Sequence, residues 1–400
     1  MSTRETGTTA THHVVVLGAG YAGMAATVQL AARARRQKGL TVTLVNAQDR
    51  FTERLRLHMT ATGQELAALS ITEMLQDTGA RFVRGWVTAV DATARTVRVD
   101  DDRVLHYDTL VYGLGSVADA AAVPGVEDHA YTLNGPEEAE SLAGRLAQLG
   151  GGTVVVAGSG LTGVESAAEI AERHPELDVV LVGRHEPGAS MNPKARAHLR
   201  SALDRLGVLV RGGAEVVKVL PGSVELAGGE SVAADVVLWT CGTRVSPLAA
   251  AAGLGVDELG RVVTDTALRS ESHPDVYAVG DAAAVRQGYG ILHGTCQSGM
   301  PTGVHAAVSI IRALRGERPR PFRFGYYHAP VSLGRNDAVV QFTRPDNSPR
   351  AICLTGRAAV RYKETVTASP WPTYGRMKKM PASGAFWPRG GRFTRTRAPR

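Results

Sequence analysis

Three cysteines occur in the 400 residues, Cys241, Cys296 and Cys353, with no CxxC or CxxxxC spacing between any two. Neither a disulfide framework nor a zinc site is indicated, no metal is expected, and a reducing cytoplasmic setting fits. The segment 1–13 lacks the apolar core and cleavage site of a signal peptide, so no secretory signal is read there. The longest uncharged run, Val14 to Ala32, is broken by Gly18, Gly20 and Gly23, where a strand gives way to a helix and a membrane span would continue. Acidic residues are scarce at the far end: from Arg361 to Arg400 only Glu364 stands against ten Lys and Arg. The rest of the chain carries 35 basic and 37 acidic residues, so the formal charge of +7 belongs to the tail and nothing in the main body points to nucleic acid.

With 44% hydrophobic and 21% charged residues, the chain has material for two or three packed domains. One theme is repeated. VVVLGAGYAGMAATVQLAARA from Val14 returns as VVVAGSGLTGVESAAEIAERH from Val154: a β-branched strand, a glycine turn and an Ala-rich helix. Each copy runs on into another strand, TVTLV from Thr41 and DVVLV from Asp178, which completes a βαβ unit with parallel pairing and a right-handed crossover. The stretches Arg81 to Val111 and Val216 to Val237 alternate apolar and polar residues and read as small antiparallel meanders. Val123-Pro124-Gly125 and Arg318-Pro319-Arg320-Pro321 read as hinges between domains.

In a GxGxxG turn the first glycine permits the tight bend, the second lets backbone approach a pyrophosphate, and the third lets helix pack on strand. The motif occurs twice, as Gly18/Gly20/Gly23 and Gly158/Gly160/Gly163, each between a strand and a helix. HPDVYAVGDAAA, from His273, ends a further strand at Gly280-Asp281 and resembles the second FAD fingerprint of glutathione-reductase-like flavoproteins. That resemblance implies an Asp281 carboxylate accepting hydrogen bonds from the ribitol chain. Tyr107 to Ser116 and Ala234 to Arg244, carrying Gly115 and Gly242, resemble the paired crossing segments of the same enzymes.

Within this superfamily the chain is most similar to type II NADH dehydrogenases and apoptosis-inducing-factor-like flavoproteins, over roughly Val14 to Lys363. Gly163-Val164-Glu165, Ala61-Thr62-Gly63 and VSLGRNDAVV carry the likeness. It implies an α/β chain with two Rossmann-like domains, a small C-terminal α+β domain and a basic tail. FAD would be held by 1–120 and 251–320, NAD(P) by 121–250, with 321–400 forming the C-terminal part. On the FAD side the implied contacts are Gly18, Gly20, Tyr21, Ala22, Gly23, Val87, Gly115, Gly280 and Asp281. On the nicotinamide side they are Gly158, Gly160, Leu161, Thr162, Gly163 and Gly242.

The carboxylate that binds ribose hydroxyls after the second strand is missing from both halves. Its place falls on Asn46 in the first, whose amide still bonds a hydroxyl, and beside Gly183-Arg184-His185 in the second. Arg184 would meet a 2′-phosphate, which favours NADPH over NADH. By resemblance, Glu165 borders the nicotinamide pocket. Where type II enzymes carry an AQxAxQ-like stretch, the run Cys296 to Pro301 keeps Gln297 but ends in proline; Gln297 and His293 are candidates for bonding the isoalloxazine edge or an acceptor carbonyl. No cysteine lies between Asn46 and Gly63, where single-cysteine relatives carry theirs.

The expected activity is transfer of hydride from NAD(P)H to FAD and of electrons to a quinone or similar small organic acceptor. A ferredoxin or rubredoxin reductase, a tailoring flavoenzyme of secondary metabolism and a flavoprotein whose redox state governs its associations stay open. The tail, with Trp371, Phe386, Trp387 and Phe393 among its basic residues, is too rich in Pro and Gly for a long amphipathic helix. A partly disordered tail, solvated or folded over the partner of a homodimer, is favoured over peripheral contact with anionic lipid.

Overall fold

The computed structural model describes residues 11–35 and 39–395. The strand His12–Leu17, buried from Val14 onward, sits in the middle of a five-stranded parallel sheet ordered Val276–Ala278, Thr109–Tyr112, His12–Leu17, Leu40–Asn46, Arg81–Arg84. Its repeat, Gly152–Ala157, is central in a four-stranded parallel sheet ordered Leu209–Gly212, Leu177–Gly183, Gly152–Ala157, Val236–Trp239. Strands this apolar on both faces need cover on both faces, and helices supply it. Tyr21–Ala34, the first glycine helix, is almost wholly buried because the long helix Cys296–Leu314 lies across it: a Cβ on Gly303 would fall 2.0 Å from the Ala22 carbonyl oxygen. The fold class read from the sequence is therefore observed, a mixed α/β chain with two Rossmann-like cores.

Two details differ from expectation. Arg81–Arg84 and Thr109–Tyr112 belong to the first parallel sheet, leaving Val87–Asp91, Thr96–Val99 and Arg103–His106 as the antiparallel meander. In the second half Val236–Trp239 likewise joins the parallel sheet, and the meander is Val216–Leu220, Ser223–Leu226 and Ser231–Ala233. Thr109–Tyr112 and Val236–Trp239 are buried at every position, which suits a strand covered on both faces and not an alternating one. The Val123-Pro124-Gly125 turn is also pinned: Val219 N–H donates to the Pro124 carbonyl at 3.0 Å, and a Cβ on Gly125 would meet the Val219 oxygen at 2.0 Å. The passage between the two cores runs instead through Ser116–Val117 and Arg244–Val245, paired antiparallel.

The C-terminal part is a three-stranded antiparallel sheet, His328–Ser332, Ala338–Thr343 and Pro349–Thr355, packed between helix Gly356–Ala368 and helix Pro193–Arg205 of the second core. Its Val331, Leu333 and Val339 share one apolar cluster with the second core and with Leu57 and Ala61 from the short helix Leu57–Thr60 and its end. Three parts of the chain thus meet at one place. As far as Arg395, the tail packs on the first core and is not a solvated segment; residues 396–400 lie outside the described residues. Pro370–Lys379 is a helix begun by Pro370, where a missing N–H costs nothing, and Tyr374 is fully buried in the first core. Tyr374 donates its hydroxyl to the Tyr21 carbonyl at 3.0 Å, and Tyr374 and Trp371 close on Phe51 with ring centroids 5.7 and 5.5 Å away. Further on, Trp387 Nε1 donates to the Arg323 carbonyl at 2.8 Å. No helix among the described residues is long and apolar enough to cross a membrane.

Candidate active site

The two glycine turns are built alike. A Cβ on Gly18 would lie 2.5 Å from the Gly113 carbonyl oxygen, and one on Gly158 would lie 2.4 Å from Thr240 Oγ1. A Cβ on Gly23 would fall 1.8 Å from the Gly18 oxygen, and on Gly163 1.7 Å from the Gly158 oxygen. The second glycines, Gly20 and Gly160, are different: nothing lies within 4 Å of either Cβ position. Outer glycines thus close the turn on itself, while the middle one faces space, directly at a helix N-terminus whose amides and dipole favour an anion. Both turns fit a dinucleotide pyrophosphate on the chain's own geometry. Leu161 and Thr162 are exposed at the second turn, whereas Tyr21 and Ala22 are covered by the long helix and the tail.

In the first core, Gly115 and Gly280 follow neighbouring strands and their following residues meet: Ser116 Oγ donates to Asp281 Oδ2 at 2.7 Å. Thr302 Oγ accepts from Gly280 N–H at 2.9 Å, tying this turn to the long helix, whose start is closed by a capping box between Thr295 and Ser298. Asp281, the start of that helix and the first glycine turn therefore line one side of the first core. Asn46 uses its amide locally, Oδ1 accepting from Ala19 N–H at 2.9 Å and Nδ2 donating to the Gln48 carbonyl at 2.8 Å. It holds the glycine turn, with one further hydrogen and lone pair left for a hydroxyl. Val87 opens the meander, half-buried against the first core.

Gln297 is likewise engaged at both ends, donating to the His328 carbonyl at 2.9 Å and accepting from Tyr327 N–H at 3.1 Å. It ties the long helix to the C-terminal sheet. His293 lies on the Tyr326 ring, centroids 4.5 Å apart, with its backbone N–H and carbonyl both bonded to the Tyr326 hydroxyl. At the second strand's end, a Cβ on Gly183 would meet Ser159 Oγ at 2.3 Å, and Ser159 Oγ donates to the His185 carbonyl at 2.6 Å. No carboxylate-bearing residue fits at 183 with the turn in this form. Arg184 is 72% exposed, its guanidinium 3.8 Å from Glu215, and Glu186 is drawn away by Arg200 at 2.7 Å. Gly242 has φ +66° on the crossing segment beside Asp119.

Glu165 is the best-connected residue of the site. It leaves the second turn of the second glycine helix, Leu161–Arg173, and is buried where the three parts of the chain meet. Oε1 accepts from Lys363 Nζ at 2.6 Å, from Ser332 N–H at 3.0 Å and from Ser332 Oγ at 3.2 Å; Oε2 is 3.9 Å from His58 Nδ1. Burial pushes the carboxyl's pKa up, but Lys363, His58 and the Ser332 N–H outweigh it and hold the group below its usual range. The His58 imidazole is lowered as well: burial pulls it down to about 4, against the attraction of Glu165. The sequence reading found Glu165 through its neighbours Gly163 and Val164. It missed Lys363, Ser332 and His58, which stand far apart in sequence and bear no local motif. Cys296 is half-buried, its thiol pushed up to about 12 mainly by desolvation, and all three cysteines are free. None of this supports thiol chemistry.

Comparison with known proteins fits this geometry. An NADH dehydrogenase-like protein of Mycobacterium tuberculosis is 33% identical over 347 residues, covering 82% of this chain and 86% of its own. The demethylphylloquinone reductase of Synechocystis is 27% identical over 389 residues, covering 92% and 94%. Among solved structures, NDH2 from Plasmodium falciparum in complex with NADH superposes with a TM-score of 0.76 at 13% identity, over 92% of this chain and 98% of that one. Residues 12–309 match the family described as pyridine nucleotide-disulphide oxidoreductase, and with its paired glycine turns the chain belongs to that family of flavin oxidoreductases.

Proposed function

We propose that this chain oxidises NADPH in preference to NADH and passes the electrons through FAD to a quinone. The observation that carries the reading is the pair of equivalent glycine turns, each with its middle glycine open, together with a buried Glu165–Lys363 pair where both cores and the C-terminal sheet meet. FAD, when bound, accepts hydride and gives up electrons; the protein's part is to hold the partners in register and keep water out. Residues 1–120 and 251–320 hold FAD, 121–250 hold the nicotinamide nucleotide, and 321–400 close the site. Gly20 and Gly160 admit the pyrophosphates, and Asp281, itself bonded to Ser116, accepts from the ribitol chain. Glu165 stays charged, neutralised by Lys363, at the edge of the nicotinamide pocket.

The preference for NADPH rests on Gly183 and Arg184. Ser159 fills the space a carboxylate-bearing side chain would need, and the exposed Arg184 is free to swing from Glu215 to a 2′-phosphate. The quinone reading rests on the quinone-reducing relative and on a surface suited to meeting a membrane: Phe386 is 88% exposed, Met380 is 60% exposed, and Arg389 lies over the Trp387 ring. The test is anaerobic bleaching of the flavin absorption, faster with NADPH than NADH, followed by re-oxidation with a soluble quinone. Bleaching by neither nucleotide would reject the reading; bleaching without quinone turnover would reject the acceptor.

A further inference from the structure

His58 enters the site from the short helix Leu57–Thr60 and is 4% exposed. The charged groups around it come from every neighbouring element: Glu165 from the second glycine helix, Lys363 and Glu364 from helix Gly356–Ala368, and Arg335 from the loop after His328–Ser332. Ser332 connects it to Glu165. The Ser332 hydroxyl donates to Glu165 Oε1 at 3.2 Å and lies 3.4 Å from His58 Nε2. A hydroxyl whose only proton is given to a carboxylate meets the imidazole as an acceptor, so this geometry assigns the ring proton to Nε2. Nδ1 is left with a lone pair, 3.9 Å from Glu165 Oε2. A basic nitrogen therefore faces a carboxylate with no proton between them.

We propose that His58 is the proton store of this centre, taking one proton at Nδ1 when the centre gains electrons and returning it through Glu165 when the acceptor is reduced. This rests on the NAD(P)H–quinone reading, in which NAD(P)H, one H⁺ and a quinone become NAD(P)⁺ and a quinol. The hydride brings two electrons and one proton; the second proton comes from water. On uptake an N–H bond forms at Nδ1. On delivery that bond breaks, the proton passes to Glu165 Oε2, and the acceptor oxygen takes it from there. Burial leaves the ring empty in the resting state, and Lys363 and Arg335 oppose its protonation further, so only added negative charge nearby fills it. Glu165 alone, already matched by Lys363, lacks that reserve.

The test is a histidine-selective NMR titration of the full FAD-loaded chain, oxidised and then photochemically reduced, with neither nicotinamide nor quinone present. Because it needs neither substrate, its failure is separate from failure of the acceptor reading. His58→Gln removes the resonance and so assigns it; if that variant does not load flavin, Ser332→Ala assigns it by shifting the same signal. The expected result is an Nε2–H tautomer that titrates near the acid end when oxidised and at least tenfold more readily when reduced. One unchanged midpoint in both states overturns the proposal. Proton uptake on photoreduction, read with a pH indicator near pH 6, should fall by half or more in His58→Gln; equal uptake overturns it as well.

Discussion

Lys363 Nζ lies 2.6 Å from Glu165 Oε1, and this contact fastens helix Gly356–Ala368 beside the C-terminal sheet to the second turn of the second glycine helix. Both side chains are buried, so the pair is not a surface ion pair of small value. Removing one partner leaves an uncompensated charge at a cost of about 3–5 kcal/mol. Lys363→Met is therefore expected to be strongly destabilised in urea, Glu165→Gln less so because a neutral amide still accepts from Ser332. The double variant should recover part of the loss. Additive losses in that cycle would show that the two groups do not act as a pair.

The glycine turns separate two kinds of defect. Gly20→Ala and Gly160→Ala place a methyl where nothing stands within 4 Å, so the apo fold should keep its melting temperature. What they should lose is FAD retention in the first case and nicotinamide binding in the second. Gly23→Ala and Gly163→Ala drive a Cβ within 2 Å of a carbonyl oxygen and should cost about 1–3 kcal/mol or more in apo stability. Thermal melts and flavin content measured on the same preparations distinguish the two; a uniform effect at all four positions contradicts the assignment of the middle glycines to ligand.

Local signals carried much of this far. The parallel cores and the two glycine turns were legible because each is encoded within one short stretch: a β-branched strand, glycines at fixed spacing, a helix. Thr109–Tyr112 and Val236–Trp239 were misassigned to meanders because burial on both faces is decided by what packs above and below, not by four residues. Lys363, Ser332 and His58 were invisible for a related reason. Each is an unremarkable residue in its own segment and gains meaning only where three parts of the chain close on Glu165. The tail was misread through composition: prolines forbid helix interiors but suit the first turn, where Pro370 stands.

Arg184→Glu should weaken NADPH binding roughly tenfold or more, the scale of one lost charge-assisted hydrogen bond, and leave NADH nearly unchanged. Dissociation constants by fluorescence titration of both nucleotides give the answer. Equal weakening would mean that the exposed guanidinium does not meet the 2′-phosphate.

Three buried histidines set the acid limit of stability. His58, His305 and His328 are each lowered by burial to about 4. A lowered imidazole means that the unfolded chain, with its ordinary value near 6.5, binds protons the folded chain refuses. Their contribution is whole above pH 6.5 and drains away as pH falls toward 4, by up to roughly 3 kcal/mol for each ring. Glu165, held below its usual range, adds to the loss at still lower pH. Urea midpoints should therefore drop steeply between pH 6.5 and 4, and His305→Gln should flatten that slope. A flat profile for the wild-type chain would contradict the burial of these rings.

The tail offers the sharpest contrast between composition and packing. If the residues after Ala368 were solvated, removing Tyr374 would matter little. Instead its ring is fully buried against Phe51, its hydroxyl holds the Tyr21 carbonyl at 3.0 Å, and Gln29 Nε2 reaches over to the Pro381 carbonyl at 2.9 Å. Truncating so large a buried side chain costs about 3–5 kcal/mol. Because Tyr21 and Ala22 stand at the first glycine turn, part of that loss should appear as faster release of FAD. Tyr374→Ala is thus expected to lower the melting temperature and to shed flavin on dilution, whereas Tyr374→Phe, which keeps the ring and gives up one hydrogen bond, should do so only slightly. An unchanged melt in the alanine variant would return the tail to solvent.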